Sequence, residues 1–382
     1  MSNSDWSSLT PASLCVAGDH DTTLGMSQPI QASSSFYYLD EGPQPYPRYF
    51  NTPNQAAVAR KLAALEHAEA GMIFSSGMAA ISTCLMSMIS PGDHVLLLQG
   101  LYGGSHSFLI NELTKWGIEF DFVSPDIEKF RAKVRSNTVL AYIETPTNPC
   151  LGILDLKATA DFAKEAGIVT VIDNTFASPI NQNPIDHGID VVVHSGTKYL
   201  GGHSDLSSGA VVGPTALMDK VMQQARMYGG NLNALSCYLL DRSIKTLNIR
   251  VQQQNANAMA VASFLADHDH VARVLYPGLE AHAGHEIARR QMSGFGGMLS
   301  FELEPSIPIR EFLTQLKLVT PAMSLGGVES TVTVPTFTSH KAMSAEDRAA
   351  CGVTPGLIRF SVGVEDRTDL ITDLNQALAA VS

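Results

Sequence analysis

No apolar run in this 382-residue chain approaches the roughly 20 residues that carry a helix across a bilayer. The first ten residues also lack the basic-then-apolar order of a secretory leader, so the cytoplasm is the expected location. Basic residues are scarce, with 25 Lys and Arg against 37 Asp and Glu, a net charge of −12, and no basic run. That balance excludes nucleic acid and anionic membranes as expected partners. A phosphorylated small molecule stays possible, because a few local donors suffice to hold one phosphate. Cysteine is sparse too. Cys15, Cys84, Cys150, Cys237 and Cys351 are scattered, odd in number and never close-paired. They read as thiols of a reducing compartment, not as a disulfide frame or a zinc site. His268, His270, His282 and His285 cluster loosely without a carboxylate frame, so no metal is expected there. What the chain does have is apolar material: 45% hydrophobic against 16% charged residues, enough for a large core and against general disorder.

Residues 1–50 differ from the rest. Pro43, Pro45, Pro47 and Pro53 alternate with Tyr37, Tyr38, Tyr46 and Tyr49, too much proline for a helix interior. The segment reads as an extended arm, aromatic enough to lie on another surface, that of a neighbouring subunit. From Gln55 the pattern changes. Val58, Leu62 and Leu65 form a helical stripe. Short apolar runs at 72–74, 95–98, 139–143, 168–172 and 191–193 then alternate with helical stretches at 105–115 and 156–166. The runs are continuous, as in parallel strands buried on both faces, which predicts an α/β domain over 51–249 with a mostly parallel sheet. A long polar helix begins near 245. Beyond it, strands at 298–303 and 358–362 and a helix bearing Leu370, Leu374 and Leu378 on one face predict a smaller C-terminal α+β domain over 250–382.

Ligands of open α/β sheets bind beyond the carboxyl ends of the strands. The run 168–172 ends in Asp173, a costly place for a carboxylate unless a cation meets it. Alone, it would read as a turn or a helix cap. The run 191–193 leads into His194, Ser195, Gly196, Thr197 and Lys198. A single lysine is most often a solvated charge, but one placed directly after a buried strand and between hydroxyls suits a desolvated amine of lowered pKa, the state a Schiff base needs. The turn at 75–80, Ser-Ser-Gly-Met-Ala-Ala, lies between strand and helix and suits a phosphate, though weakly by itself. A Schiff-base lysine, a carboxylate for a ring nitrogen and a phosphate cradle are what pyridoxal phosphate requires of a protein.

At these residues the sequence resembles the pyridoxal-phosphate enzymes of cysteine and methionine metabolism, such as cystathionine γ-synthase, cystathionine γ-lyase and methionine γ-lyase. The segments that carry the likeness are SSGMAA at 75–80, LYGG at 101–104, ETPTNP at 144–149, VIDNTFASP at 171–179, SGTKYLGGHSD at 195–205, SLGGVES at 324–330 and IRFSVGVED at 358–366. The resemblance implies an aminotransferase-like fold (fold type I) and pyridoxal 5'-phosphate as cofactor. It implies that Lys198 binds the cofactor covalently and that Asp173 meets its ring nitrogen. Gly77, Met78, Ser195 and Thr197 would hold its phosphate. Tyr102 would stack on the ring and act as acid or base. Tyr46 and Arg48 would reach the phosphate of a neighbouring subunit, in a homotetramer built as a dimer of dimers with shared sites. Arg359, with Asn148 and Ser324, would bind the substrate carboxylate or a ring oxygen.

Two departures from the relatives bear on substrate. Ser107 stands where cystathionine-handling members commonly carry an arginine, and Met323 where they tend to have glutamate. Losing the cation removes a charge-assisted partner for a second carboxylate. Methionine γ-lyases in turn carry a cysteine at the place of Gly104. The expected activity is γ-elimination from an amino acid with a neutral or cationic distal group: methionine-like, O-acylhomoserine-like or canavanine-like. Asp40 and Glu41 on the arm are acids that could meet such a cation. The alternatives are γ-replacement, as in an O-acetylhomoserine sulfhydrylase or cystathionine γ-synthase, and a cystathionine γ- or β-lyase.

Overall fold

The computed structural model describes residues 6, 8–18, 25–39, 42, 44–338, 341 and 344–381; Asp40 and Glu41 lie outside them. Seven of the described strands form one sheet: β1 (Ala70–Phe74), β2 (His94–Leu98), β3 (Glu119–Val123), β4 (Thr138–Glu144), β5 (Val169–Asp173), β6 (Val191–Ser195) and β7 (Gly209–Gly213). Their order is β1-β7-β6-β5-β4-β2-β3. The five from β3 to β6 run parallel, and β7 is antiparallel to both β6 and β1. The carboxyl ends of β1, β2, β4, β5 and β6 therefore share one edge. The apolar runs do form the buried centre, since Leu96, Leu140, Ile172 and Val192 are all inaccessible to solvent.

A second sheet holds β8 (Val271–Leu275), β9 (Met298–Leu303), β10 (Thr320–Pro321), β11 (Thr331–Thr333) and β12 (Leu357–Ser361), in the order β10-β11-β12-β9-β8. Helix Arg367–Ala379 closes over it. Its Leu370, Leu374 and Leu378 pack with Phe301, Phe312 and Phe360 in a core separate from that of the first sheet. The chain is thus α/β with a mostly parallel central sheet and a smaller α+β part.

The sequence pattern missed β3, β7 and β8, and with them the short strands β10 and β11. β3 sits at the sheet edge and carries charge; its Asp121 pairs with Arg135 at 2.5 Å and with Lys133 at 3.2 Å. β7 begins and ends in glycine, which reads locally as turn, yet Gly209 and Gly213 are both fully paired with β1. β8 is only half covered, so it shows no continuous apolar run. The expected helix at 105–115 is helical throughout, with a π-helical turn, Leu109–Leu113, following the α-helix Gly103–Phe108. Residues 1–50 are not extended throughout: helix Pro11–Val16 buries Leu14 and Cys15 in the main core. The helix Leu247–Ala266 runs across position 250. No described helix is long and apolar enough to cross a membrane.

Candidate active site

At the shared edge of the first sheet lies a cavity of about 470 Å³. Asp173, Ser195, Thr197 and Lys198 line it from the ends of β5 and β6, Gly77 and Met78 from the helix after β1, and Tyr102 from the segment after β2. The second sheet contributes Arg359 on β12 and closes the mouth with Met323, Ser324 and Leu325. Asn148 comes from the loop after β4. Residues from across the whole chain thus converge on one space.

Helix Gly77–Met86 starts against this cavity because Ser76 caps it, accepting from the Ala79 amide at 3.1 Å. The amides of Gly77 and Met78 have no acceptor among the described residues, as expected of a first helical turn. Gly77 is required by close approach, since a Cβ there would fall 2.8 Å from the Ser195 Cβ. The result is a positive helix end with free donors, flanked by the Ser195 and Thr197 hydroxyls.

Asp173 is buried at the end of β5. Its Oδ1 accepts from Thr175 N at 3.0 Å and from Thr175 Oγ1 at 2.5 Å, while no described donor reaches Oδ2. Thr175 Oγ1 in turn accepts from the Ser195 amide at 2.8 Å, tying β5 to β6. Burial raises the Asp173 carboxyl above its usual value, opposed by the Thr175 bonds and by His194. Glu144, its register partner on β4, is raised well above the carboxylate range by burial and by Asp173 itself. A charge on Asp173 therefore works against ionisation of Glu144. Glu144 Oε2 accepts from the Tyr102 amide at 2.8 Å and so fixes the segment that bears the phenol. The Tyr102 ring lies over Gly104, where a Cβ would come within 2.5 Å of Cε1.

Lys198 Nζ donates to Ser324 Oγ at 3.0 Å. Burial, aided by the nearby Arg359 charge, pushes its amine down to about 8. Arg359 is almost wholly buried and lowered by that burial to about 10, so it remains a cation near neutral pH. Its Nη1 donates to Asn148 Oδ1 at 3.1 Å and its Nη2 to the Ser324 carbonyl at 2.9 Å, while Nε has no partner among the described residues. Ser324 holds these contacts at a φ of +85°, a strained setting for a residue with a side chain. A buried guanidinium that meets only neutral acceptors is primed for an anion.

Three expected residues lie elsewhere. Ser107 is exposed on helix Gly103–Phe108 and does not line the cavity. Tyr46 and Arg48 are also outside its lining. Arg48 donates to the Arg226 carbonyl at 2.6 Å and lies between the Tyr46 and Tyr49 rings, 5.7 and 5.5 Å from their centres. The sequence reading missed Glu144, Thr175 and Thr333. Glu144 had a visible signal, because it ends a buried strand just as Asp173 does. Thr333 had none; its buried Oγ1 lines the cavity beside Arg359, its register partner, without a hydrogen-bond partner.

Comparison with known proteins shows what the whole chain is similar to. The family model described as "Cys/Met metabolism PLP-dependent enzyme" matches residues 13–379. The chain is 43% identical to cystathionine gamma-lyase of Bacillus subtilis over 367 residues, covering 95% of this chain and 96% of that protein. It is 42% identical to cystathionine beta-lyase MetC of the same organism, covering 94% and 93%. The crystal structure of cystathionine gamma-lyase from Lactobacillus plantarum with L-serine superposes with a TM-score of 0.94 at 37% identity, covering 98% of this chain and 99% of that one. The residues present fit pyridoxal 5'-phosphate on their own geometry. The unclaimed Asp173 Oδ2, the Gly77 cradle and the Lys198 amine of lowered pKa open into the same cavity.

Proposed function

The chain belongs to the Cys/Met metabolism PLP-dependent enzyme family, and on that premise we propose that it catalyses γ-elimination from an amino acid whose distal group is neutral or cationic. A thioether, an O-acyl ester and a guanidinooxy group all qualify; cystathionine does not. The observation that carries this reading is the cation inventory of the cavity. Among the described lining residues, Lys198 and Arg359 are the cations, and both are committed to the cofactor and to the substrate α-carboxylate. No third charge is left for a distal carboxylate, and the mouth is lined by Met323 and Leu325.

Bound pyridoxal phosphate supplies an electron sink conjugated to the substrate's α carbon. The protein supplies position and proton traffic. Gly77 and Met78 amides with the Ser195 and Thr197 hydroxyls hold the phosphate, and Asp173 Oδ2 holds the ring nitrogen. Arg359, steadied by Asn148 and Ser324, holds the α-carboxylate. Lys198 Nζ would accept the α proton and deliver it onward. Tyr102 Oη donates a proton to the departing γ group. The arm supports a site shared between subunits of a homotetramer. Tyr46 and Arg48 reach a neighbour's phosphate, in keeping with their absence from the lining of their own chain's cavity.

A substrate panel tests the reading. Release of oxo acid and ammonia is measured for methionine, an O-acetyl ester of homoserine, canavanine and cystathionine, with and without sulfide. The missing cation costs cystathionine about 1.5–3 kcal/mol, roughly a tenfold to hundredfold handicap in kcat/KM against the best neutral or cationic substrate. The 43% identity to a cystathionine gamma-lyase favours a second reading, cystathionine itself as substrate. Comparable kcat/KM for cystathionine and every other candidate would support it and overturn the first. Thiol-dependent product without oxo acid would point to replacement chemistry.

The shared site has its own test. Arg48→Ala weakens cofactor retention by about tenfold or more, the scale of one charge-assisted hydrogen bond. Arg48→Ala and Lys198→Ala proteins, mixed under proven subunit exchange, regain activity because mixed pairs contain one intact site. No recovery would assign the arm to its own subunit.

A further inference from the structure

Behind the cavity lies a fully buried carboxylate that the chemistry above does not use. Glu66 ends helix Pro53–Leu65. Its Oε1 accepts from Asn174 Nδ2 at 2.8 Å and lies 2.5 Å from His194 Nε2, while Oε2 has no partner among the described residues. Both partners are themselves buried. Asn174 directly follows Asp173, and His194 directly precedes Ser195. The backbone joins the same two strands at this level: Asp173 and Val193 are register partners, and the Asn174 amide donates to the Val193 carbonyl at 3.0 Å. One carboxylate oxygen therefore bridges the end of β5, which delivers Asp173, and the end of β6, which delivers Ser195, Thr197 and Lys198. Further links run from Asn174 to the Gln182 carbonyl at 2.9 Å and from Gln182 Nε2 to the Thr145 carbonyl at 2.9 Å. The network thus also reaches the loop after β4.

A buried, half-satisfied carboxylate is an expensive way to stabilise a fold, and an apolar side chain of similar size would do as well. Its use lies in specifying an arrangement. We propose that Glu66 and His194 are positioning residues for the cofactor. Together they clamp the ends of β5 and β6, so that the ring-nitrogen carboxylate and the lysine loop keep a fixed separation matched to one bound pyridoxal phosphate. His194 also favours the ionised form of Asp173, which acts in the same direction. The inference rests on the assignment of pyridoxal phosphate as cofactor.

The test measures pyridoxal phosphate binding to the apoprotein by equilibrium dialysis, the visible absorption of the bound cofactor, and the melting temperature of the apoprotein. Glu66→Leu removes the clamp and weakens cofactor binding at least tenfold with a changed absorption band; Glu66→Gln, which keeps an acceptor for Asn174, retains most of the affinity. His194→Leu weakens binding as well, and the double variant is no worse than Glu66→Leu, because the two act as one unit. If Glu66→Leu does not fold, His194→Leu decides by the same readouts. Folded variants with lowered melting temperature but wild-type affinity and spectrum would reduce the pair to a structural role and overturn the proposal. Failure of the wild-type protein to bind pyridoxal phosphate would instead overturn the cofactor assignment.

Discussion

Lys198→Ala protein loses turnover by roughly 10⁴-fold or more, the scale on which removal of a covalent catalytic group is felt. Borohydride reduction of the wild-type protein fixes the cofactor to the peptide containing Lys198, and the variant takes up no label there. The same lysine sets a pH dependence. Its pKa is depressed from 10.5 to about 8, first by burial and then by Arg359. In the cofactor-free protein the amine is therefore protonated below about pH 8 and neutral above it. Only the neutral amine attacks a carbonyl, so capture of pyridoxal phosphate accelerates as pH rises through 8 and then levels off. The sign for stability follows the same logic. Between about 8 and 10.5 the unfolded chain binds more protons at this lysine than the folded one, so the group favours folding increasingly as pH rises across that window. Stopped-flow absorbance against pH checks the first effect. A flat capture rate, or label on another lysine, would displace Lys198 from its role.

Asp173→Asn lowers kcat/KM by roughly 10²- to 4 × 10³-fold at saturating cofactor. The amide keeps the size of the carboxylate and an oxygen for the two Thr175 donors, so the fold survives. What disappears is the anion opposite the ring nitrogen. Breaking a buried charge pair costs about 3–5 kcal/mol, which converts to that factor at about 1.4 kcal/mol per decade. The substitution has a second consequence. Asp173 is one of the causes that raise Glu144. Without that charge only burial, the larger of the two causes, still raises the Glu144 carboxyl. Steady-state kinetics with circular dichroism as a control for folding decides the matter. A loss below about threefold would mean that Asp173 does not carry the charge.

The central strands were legible because continuous apolar runs such as 95–98 and 191–193 have no stable home except a doubly covered sheet. Lys198 and Asp173 were legible for a related reason, since polar residues directly after such runs must emerge at a sheet edge. Resemblance over seven ordered segments then supplied the family and agreed with the cofactor those residues had already suggested. The edge strand β3 and the glycine-bounded β7 were not legible, because pairing with neighbours decided their state against their local pattern. Nor was the electrostatic setting of the site. Glu66 meets His194 across 128 positions of sequence, and Arg359 meets Asn148 across 211. Residue types and short periodicities determine which faces are apolar and hence where the sheet must lie. The depth at which a charge is buried, and which distant group lies beside it, exists only after packing. The lowered pKa of Lys198 was legible from its place after a buried strand, whereas the raised Glu144 and the open valence of Arg359 were for that reason decided by tertiary structure alone.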